Sequence, residues 1–265
     1  MMLVFFRYLL VFLVVISLQQ VNTSFSQDGS LDPTFGTGGI VVTPIGTGDD
    51  IGFSVAVQED GKIVVVGYSD NGTNDDVSMV RYNSDGSLDD TFGTAGKVVT
   101  SLGASEQCYA VAIQVDGKIV VSGTSFNGSD YDITLFRYLT DGSLDATFDA
   151  DGIVQTAIGS FNNDYAYSLL IQNDGKIVVA GETSPGGWSD FALVRFNGDG
   201  SLDTSFDGDG IVTTPVTPFH DDAYSVVIQD DGKIIAAGIA CDAINCFFAI
   251  ARLNTDGSLD ATFDL

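Results

Sequence analysis

The chain has 265 residues, 45% of them hydrophobic, and carries 36 acidic against 10 basic side chains, a formal net charge of −26. So acidic a balance excludes nucleic acid and anionic membrane surfaces as partners, because phosphate binding needs clustered Lys and Arg. Three cysteines and one histidine likewise exclude a disulfide-built scaffold and a His/Cys metal centre.

At the N-terminus Arg7 precedes an apolar run over residues 8–18, and the small residues Ser24 and Ser26 follow. That is the layout of a secretory signal, one positive charge, a short apolar region and a small-x-small cleavage site. The run is well short of the ~20 residues that a membrane-spanning helix needs. Residues 1–26 are therefore expected to be removed as a signal peptide, with no membrane insertion afterwards, and 27–265 to form the folded domain.

From there the chain repeats itself. Asp-Gly-Ser-Leu-Asp starts at Asp28, Asp85, Asp141, Asp199 and Asp256, in steps of 57, 56, 58 and 57 residues. Asp-Gly-Lys-Ile starts at Asp60, Asp116, Asp174 and Asp231. A fixed period of this size marks a repeat architecture, with units of about 28–84, 85–140, 141–198 and 199–255 and the start of a fifth connector at 256–265. In the connector, Asp-Gly opens a turn and Ser87 is expected to cap a single helical turn over residues 88–92. Leu88 and Phe92, four apart, would then share one face and plug one gap.

Within the first unit, residues 39–43 (Gly-Ile-Val-Val-Thr) read as a strand leaving the connector. Residues 53–58 and 62–67 flank Asp60-Gly61 as a hairpin, and 76–82 read as a fourth strand. The middle strands are apolar on both faces, as in Ile119-Val120-Val121, so they are covered from both sides. Four-stranded antiparallel sheets stacked radially meet that condition. The fold class is all-β, a β-propeller-like repeat of four blades of about 57 residues, closed as a ring of four or part of a larger one.

Residues 171–181 (Ile-Gln-Asn-Asp-Gly-Lys-Ile-Val-Val-Ala-Gly), with 191–203 (Phe-Ala-Leu-Val-Arg-Phe-Asn-Gly-Asp-Gly-Ser-Leu-Asp), resemble the delta-60 β-propeller repeat over essentially all of 27–265. The resemblance implies a structural repeat of secreted and cell-surface bacterial proteins, often with no assigned activity.

Basic residues occupy two slots of the repeat. Lys62, Lys118, Lys176 and Lys233 follow the hairpin Gly and read as solvated turn residues. Arg81, Arg137, Arg195 and Arg252 end an apolar strand shortly before an Asp, which points to bidentate structural ion pairs tying strand to connector. An Arg also stands where an oxygen-ligand loop over Asn197 to Asp203 would need its first acid, which argues against calcium there. Asp149, Asp151, Asp207 and Asp209 are the remaining calcium candidates, and no other cofactor is implied. Cys241 and Cys246 flank a four-residue loop and form a disulfide candidate, leaving Cys108 over. Asp50, Glu106, Asp164 and Asp221 each precede an aromatic three residues on, Phe53, Tyr109, Tyr167 and Tyr224, a recurrence that suggests blade packing.

No catalytic set emerges: there is no Gly-x-Ser-x-Gly elbow and no phosphate-cradling Gly loop. The hairpins and connectors are nearly identical in every unit and are expected on one face of the disc, while the loops on the other face differ. Recognition is placed on such variable loops. The candidate ligand residues are Trp188, Phe161, Tyr165, Phe126, Tyr131, Phe219 and His220, with an extracellular protein or polysaccharide as partner. The reading is a secreted or cell-surface binding module. The alternatives are a carboxylate-dependent glycan hydrolase or lyase, and a calcium-stabilised adhesin. N-terminal sequencing of the exported protein is expected to begin at Gln27, and a mature chain that retains Arg7 would overturn the secretory assignment.

Overall fold

The computed structural model describes residues 29–160 and 162–263, so the expected signal peptide lies outside the described residues. The first blade is β1 (Asp50–Val57), β2 (Ile63–Asp70), β3 (Asp75–Tyr82) and β4 (Lys97–Thr100), hydrogen-bonded in that order. The second is β5 (Glu106–Ile113), β6 (Ile119–Phe126), β7 (Tyr131–Tyr138) and β8 (Ile153–Thr156). The third is β9 (Asp164–Ile171), β10 (Ile177–Thr183), β11 (Asp190–Phe196) and β12 (Ile211–Thr214). The fourth has three strands among the described residues, β13 (Asp221–Ile228), β14 (Ile234–Cys241) and β15 (Cys246–Leu253). All pairing between these strands is antiparallel, and no described helix is long and apolar enough to cross a membrane. The fold is an all-β propeller of repeated blades.

The phase of the repeat differs from the one expected. The short strand after each connector pairs back onto the strand before it, as β4 does on β3 through Val77↔Thr100 to Val80↔Lys97. Each connector therefore lies inside a blade and not between two. Residues 39–43, expected as a first strand, have no such partner among the described residues, and Ile40 makes only a single bridge to Gly36.

Blades pack face to face through alternate residues of their strands, which is why the middle strands are apolar on both sides. In β10, Ile177 and Val179 face the second blade, while Val178 and Ala180 face the fourth. The connector contributes to both junctions. Leu202 packs between blades two and three, and Phe206, fully buried, between three and four. The expected shared face for this pair is not formed, because no helical turn is present. Leu88 bridges to Tyr82 in extended form, and Asp89, not Ser87, builds the turn by accepting from the Thr91 amide and hydroxyl at 3.1 and 2.7 Å.

That Asp is the centre of each blade. Oδ1 of Asp203 is taken by Ser205, so its other oxygen alone meets cations, with Arg195 Nε at 2.6 Å and Lys176 Nζ at 3.0 Å. The guanidinium cannot be bidentate on a carboxylate half-used in this way. Its Nη1 instead donates to the Thr255 carbonyl of the next unit at 2.7 Å, and its plane stacks 4.4 Å from the Phe206 ring centroid. The same arrangement recurs at Arg81–Asp89 and Arg137–Asp145, and the ion pairs at Arg252–Asp260. The hairpin lysines thus reach past their own turns to the buried carboxylate, so they are not solvated turn residues. Burial works to raise these carboxyls, but hydrogen bonds from the hydroxyl, the turn amide and the Lys, together with the Arg beside them, outweigh it and hold Asp89, Asp145 and Asp203 well below the usual carboxylate range.

Groups with depressed pKa contribute stability above the ordinary carboxylate pKa and lose it as pH falls through the folded value, so the propeller should resist mild acid. Removing one partner of a buried pair strands the other. Arg195→Met is expected to cost about 3–5 kcal/mol, read as a fall of roughly 10 °C in thermal midpoint. Asp60→Asn, at an exposed hairpin tip, is the control and should leave the midpoint unchanged.

Candidate functional site

The four innermost strands pack on one another around the axis, and each carries a β-bulge at the same place. In β9 the register runs from Ala166↔Gly181 to Ser168↔Ala180, so Tyr167 is the extra residue. Phe53, Tyr109 and Tyr224 are skipped in the same way in β1, β5 and β13. The opposing glycine is required, since a Cβ at Gly181 would lie 1.7 Å from the Tyr165 carbonyl oxygen. The bulge aims each ring at its neighbour. Phe53–Tyr109, Tyr109–Tyr167 and Tyr167–Tyr224 have centroids 5.3, 5.5 and 5.3 Å apart, forming one aromatic ladder.

The acids three residues before these rings cap the loops that enter the inner strands. Asp50 accepts the Ile45 amide at 2.8 Å, Asp164 that of Ile158 at 2.6 Å and Asp221 that of Val216 at 2.7 Å. Their recurrence serves the scaffold.

The variable loops join the ladder from the side. Phe126 lies 5.3 Å from Tyr131, Tyr131 stacks on Tyr165 at 5.9 Å, and Tyr165 stacks on Tyr167 at 5.9 Å with planes 5° apart. On the other side Trp188 meets Phe219 at 5.4 Å and His220 at 4.7 Å, both edge-on. The candidate residues therefore form two clusters on one rim, except Phe161, which lies outside the described residues. Trp188 is half exposed. Cys241 and Cys246 are joined by a disulfide that closes the last loop of this face.

Between the two clusters lies a pair of acids that the sequence reading passed over. Glu182 and Asp222 lie close enough for each carboxyl to act on the other's ionisation. The Tyr167 hydroxyl donates to Glu182 at 3.2 Å, and that of Tyr224 donates to Asp222 at 2.9 Å. The Ser189 hydroxyl donates to Asp222 at 2.5 Å and lies 3.0 Å from His220 Nδ1, which ties the Trp188 loop to the pair. Burial and the neighbouring Asp222 charge push Glu182 up to about 8. Burial opposes ionisation of Asp222 too, but the hydrogen bonds from Glu182, Ser189 and Tyr224 prevail and lower it. Burial and the closeness of the two carboxyls favour one shared proton on the pair at neutral pH. A signal for both was present in the repeat. Glu182 stands where Tyr68, Thr124 and Ile239 stand in the other blades, and Asp222 where Ile51, Gln107 and Tyr165 stand, so each is the one acid in its slot.

The remaining acid candidates are used by the backbone. Asp151 accepts the Ile153 amide and Asp209 that of Ile211, both at 2.9 Å, while Asp149 and Asp207 adopt positive φ in the connector turn. Among the described residues no group of three His, Cys, Asp or Glu is arranged to hold a metal ion.

The family model for a domain of unknown function, the DUF5122 beta-propeller, matches residues 58–92, 114–148, 172–206 and 229–263, which is 140 of the 265 residues. No curated protein matches. Among solved structures, the fold is similar to that of XC5397, a gluconolactonase from Xanthomonas campestris, at 13% identity and a TM-score of 0.42, over 77% of this chain and 59% of that one. A protein of unknown function from Dyadobacter fermentans aligns at 12% identity and a TM-score of 0.47, over 78% and 62%. An endo-arabinase from Bacteroides thetaiotaomicron aligns at 15% and 0.45, over 76% and 73%. The chain thus spans about three fifths of the first two.

Because the folded state keeps a proton on Glu182 that an unfolded chain releases near its ordinary 4.5, stability should fall as pH rises from about 4.5 to 8. Glu182→Gln removes that titration. Thermal midpoints measured from pH 5 to 8 are expected to decline less in the variant than in wild type, and parallel curves would show that Glu182 titrates normally.

Proposed function

The chain belongs to the DUF5122 beta-propeller family, and from that premise we propose that it is a binding module whose variable face takes a hydroxyl-rich ligand, a polysaccharide, outside the cell or at its surface. The observation that carries this reading is the run of rings Phe126–Tyr131–Tyr165–Tyr167 that ends at the Glu182–Asp222 pair. A sugar ring offers a C–H face that stacks on aromatic planes, and hydroxyls that pair with carboxyl groups. Trp188, beyond the acids, supplies a second stacking plane on the same rim.

Glu182 accepts from the Tyr167 hydroxyl, and Asp222 from those of Tyr224 and Ser189, which holds both carboxyl groups in place as hydrogen-bonding partners for a ligand's hydroxyls. The Cys241–Cys246 disulfide suits an oxidising compartment and supports export.

Isothermal titration against a panel of neutral polysaccharides tests the reading. Trp188→Ala and Tyr165→Ala are each expected to weaken binding roughly 3- to 10-fold, the worth of one stacked ring. Asp116→Asn, on the constant face, should leave affinity unchanged. A ligand that responds to Asp116→Asn and ignores both aromatic changes would place recognition on the opposite face.

A further inference from the structure

Among the described residues the cations are committed away from the variable rim. The Lys and Arg of each repeat close on Asp89, Asp145, Asp203 and Asp260 in the connectors. Lys97, outside those slots, donates to the Pro44 carbonyl at 2.7 Å. Asp222 therefore ionises against the cost of burial with no Lys or Arg beside it, on the hydroxyls of Ser189 and Tyr224 and the neighbouring Glu182. His220 alone adds positive character, and its Nδ1 lies 3.0 Å from the Ser189 hydroxyl. Asp190 and Asp221 extend the acidic region, close enough that Asp221 works against ionisation of Asp190.

The connectors show how this fold treats a carboxylate drawn out of water. Asp203 is met by Arg195 and Lys176 at 2.6 and 3.0 Å, and the guanidinium rests 4.4 Å from the Phe206 ring centroid. A cation is thus held by an acid and an aromatic face together. The rim has the acid and the aromatic faces without the cation. Tyr167 and Tyr224 turn their hydroxyls to the pair, and the Trp188 loop is tied to it through Ser189. Trp188, half exposed, lies 4.7 Å from the His220 ring. A desolvated charge is costly until it is paired, and the faces of aromatic rings attract positive charge. Both features call for the same kind of group, one that a ligand would bring.

We propose that the polysaccharide taken by this face carries ammonium groups, as amino-sugar units do, with one of them seated at the Glu182–Asp222 pair and against the Trp188 ring. This rests on the polysaccharide reading of the face and adds the ligand's charge to it. The ammonium takes the place at Asp222 that Arg and Lys take at Asp203, and the remaining carboxyl oxygens serve the sugar hydroxyls. A polysaccharide bearing carboxylate or sulfate groups would meet only acids there and is repelled.

Isothermal titration with two glucosamine trisaccharides of one backbone, the first N-acetylated and neutral, the second N-trimethylated, tests this near neutral pH and at physiological ionic strength. The quaternary group keeps its charge at any pH. Wild type is expected to bind the charged trisaccharide about 10-fold tighter than the neutral one. Asp222→Asn should bring that ratio to about 1, and Trp188→Ala, at a half-exposed position that folding does not depend on, should lower it about 3-fold. Asp116→Asn removes one charge from the constant face and should leave the ratio unchanged. Equal affinities in wild type would overturn the proposal and leave the polysaccharide reading standing. A ratio that Asp116→Asn lowers as much as Asp222→Asn does would assign the preference to the net charge of the chain and overturn it too. Failure of both trisaccharides to bind also sinks it, while the panel of neutral polysaccharides judges the broader reading separately.

Discussion

One buried carboxylate per blade holds this structure together. Asp89, Asp145, Asp203 and Asp260 each gather an Arg from the strand before the connector, a Lys from the hairpin and a hydroxyl from their own turn. A single buried ion pair is weak evidence of stability, because desolvation cancels much of the attraction. Here two cations and two short donors share one group, and the guanidinium spends its remaining edge on the next unit and its face on a Phe ring. The arrangement fixes where the connector crosses its own blade. That crossing in turn sends Leu202 to one junction and Phe206 to the other, so the polar centre and the apolar junctions specify the same geometry.

The two faces of the propeller divide the work. Hairpins and connectors on one face repeat because the carboxylate centre needs the same Lys, Arg and Asp each time. On the other face no such demand acts, and the slots diverge. The slot of Ile51, Gln107, Tyr165 and Asp222 shows the consequence, since its last three members lean toward the preceding blade with different chemistry. Gln107 donates to Asp75 at 2.6 Å, Tyr165 stacks on Tyr131, and Asp222 meets Ser189 and Glu182. A bulge opposite an obligatory glycine lifts the neighbouring ring out of the ladder of hydrogen bonds in every blade, which makes the aromatic row a product of the scaffold and its polar termini a product of divergence.

Repeat proteins store stability in units and in the interfaces between neighbours, so an end unit has one interface fewer. Phe248 and Ile250 at one end and Val55 and Val57 at the other keep the apolar character of the interior slots. The same residue types that close the inner junctions thus recur in the corresponding slots of blades one and four.

The sequence by itself determined the period, the strands, the Asp-Gly hairpins, the two-sided burial of the middle strands and the Arg slot. Each of these is local, or recurs often enough to be read from spacing. It did not determine the phase. A period is unchanged when its origin shifts, so nothing in the spacing says whether the strand after a connector belongs to the next blade or the last; only the pairing of β4 with β3 decides that. It did not place Leu and Phe of one connector in different junctions either, since a separation of four suggests a helical face until the turn at Asp89 is seen. The Glu182–Asp222 pair was hidden for the opposite reason. The two acids lie 40 positions apart, in different blades, and become one proton-sharing group only when the third junction brings β10 against β13. Recurrence exposes what every unit does alike, and tertiary packing alone decides what two units do together.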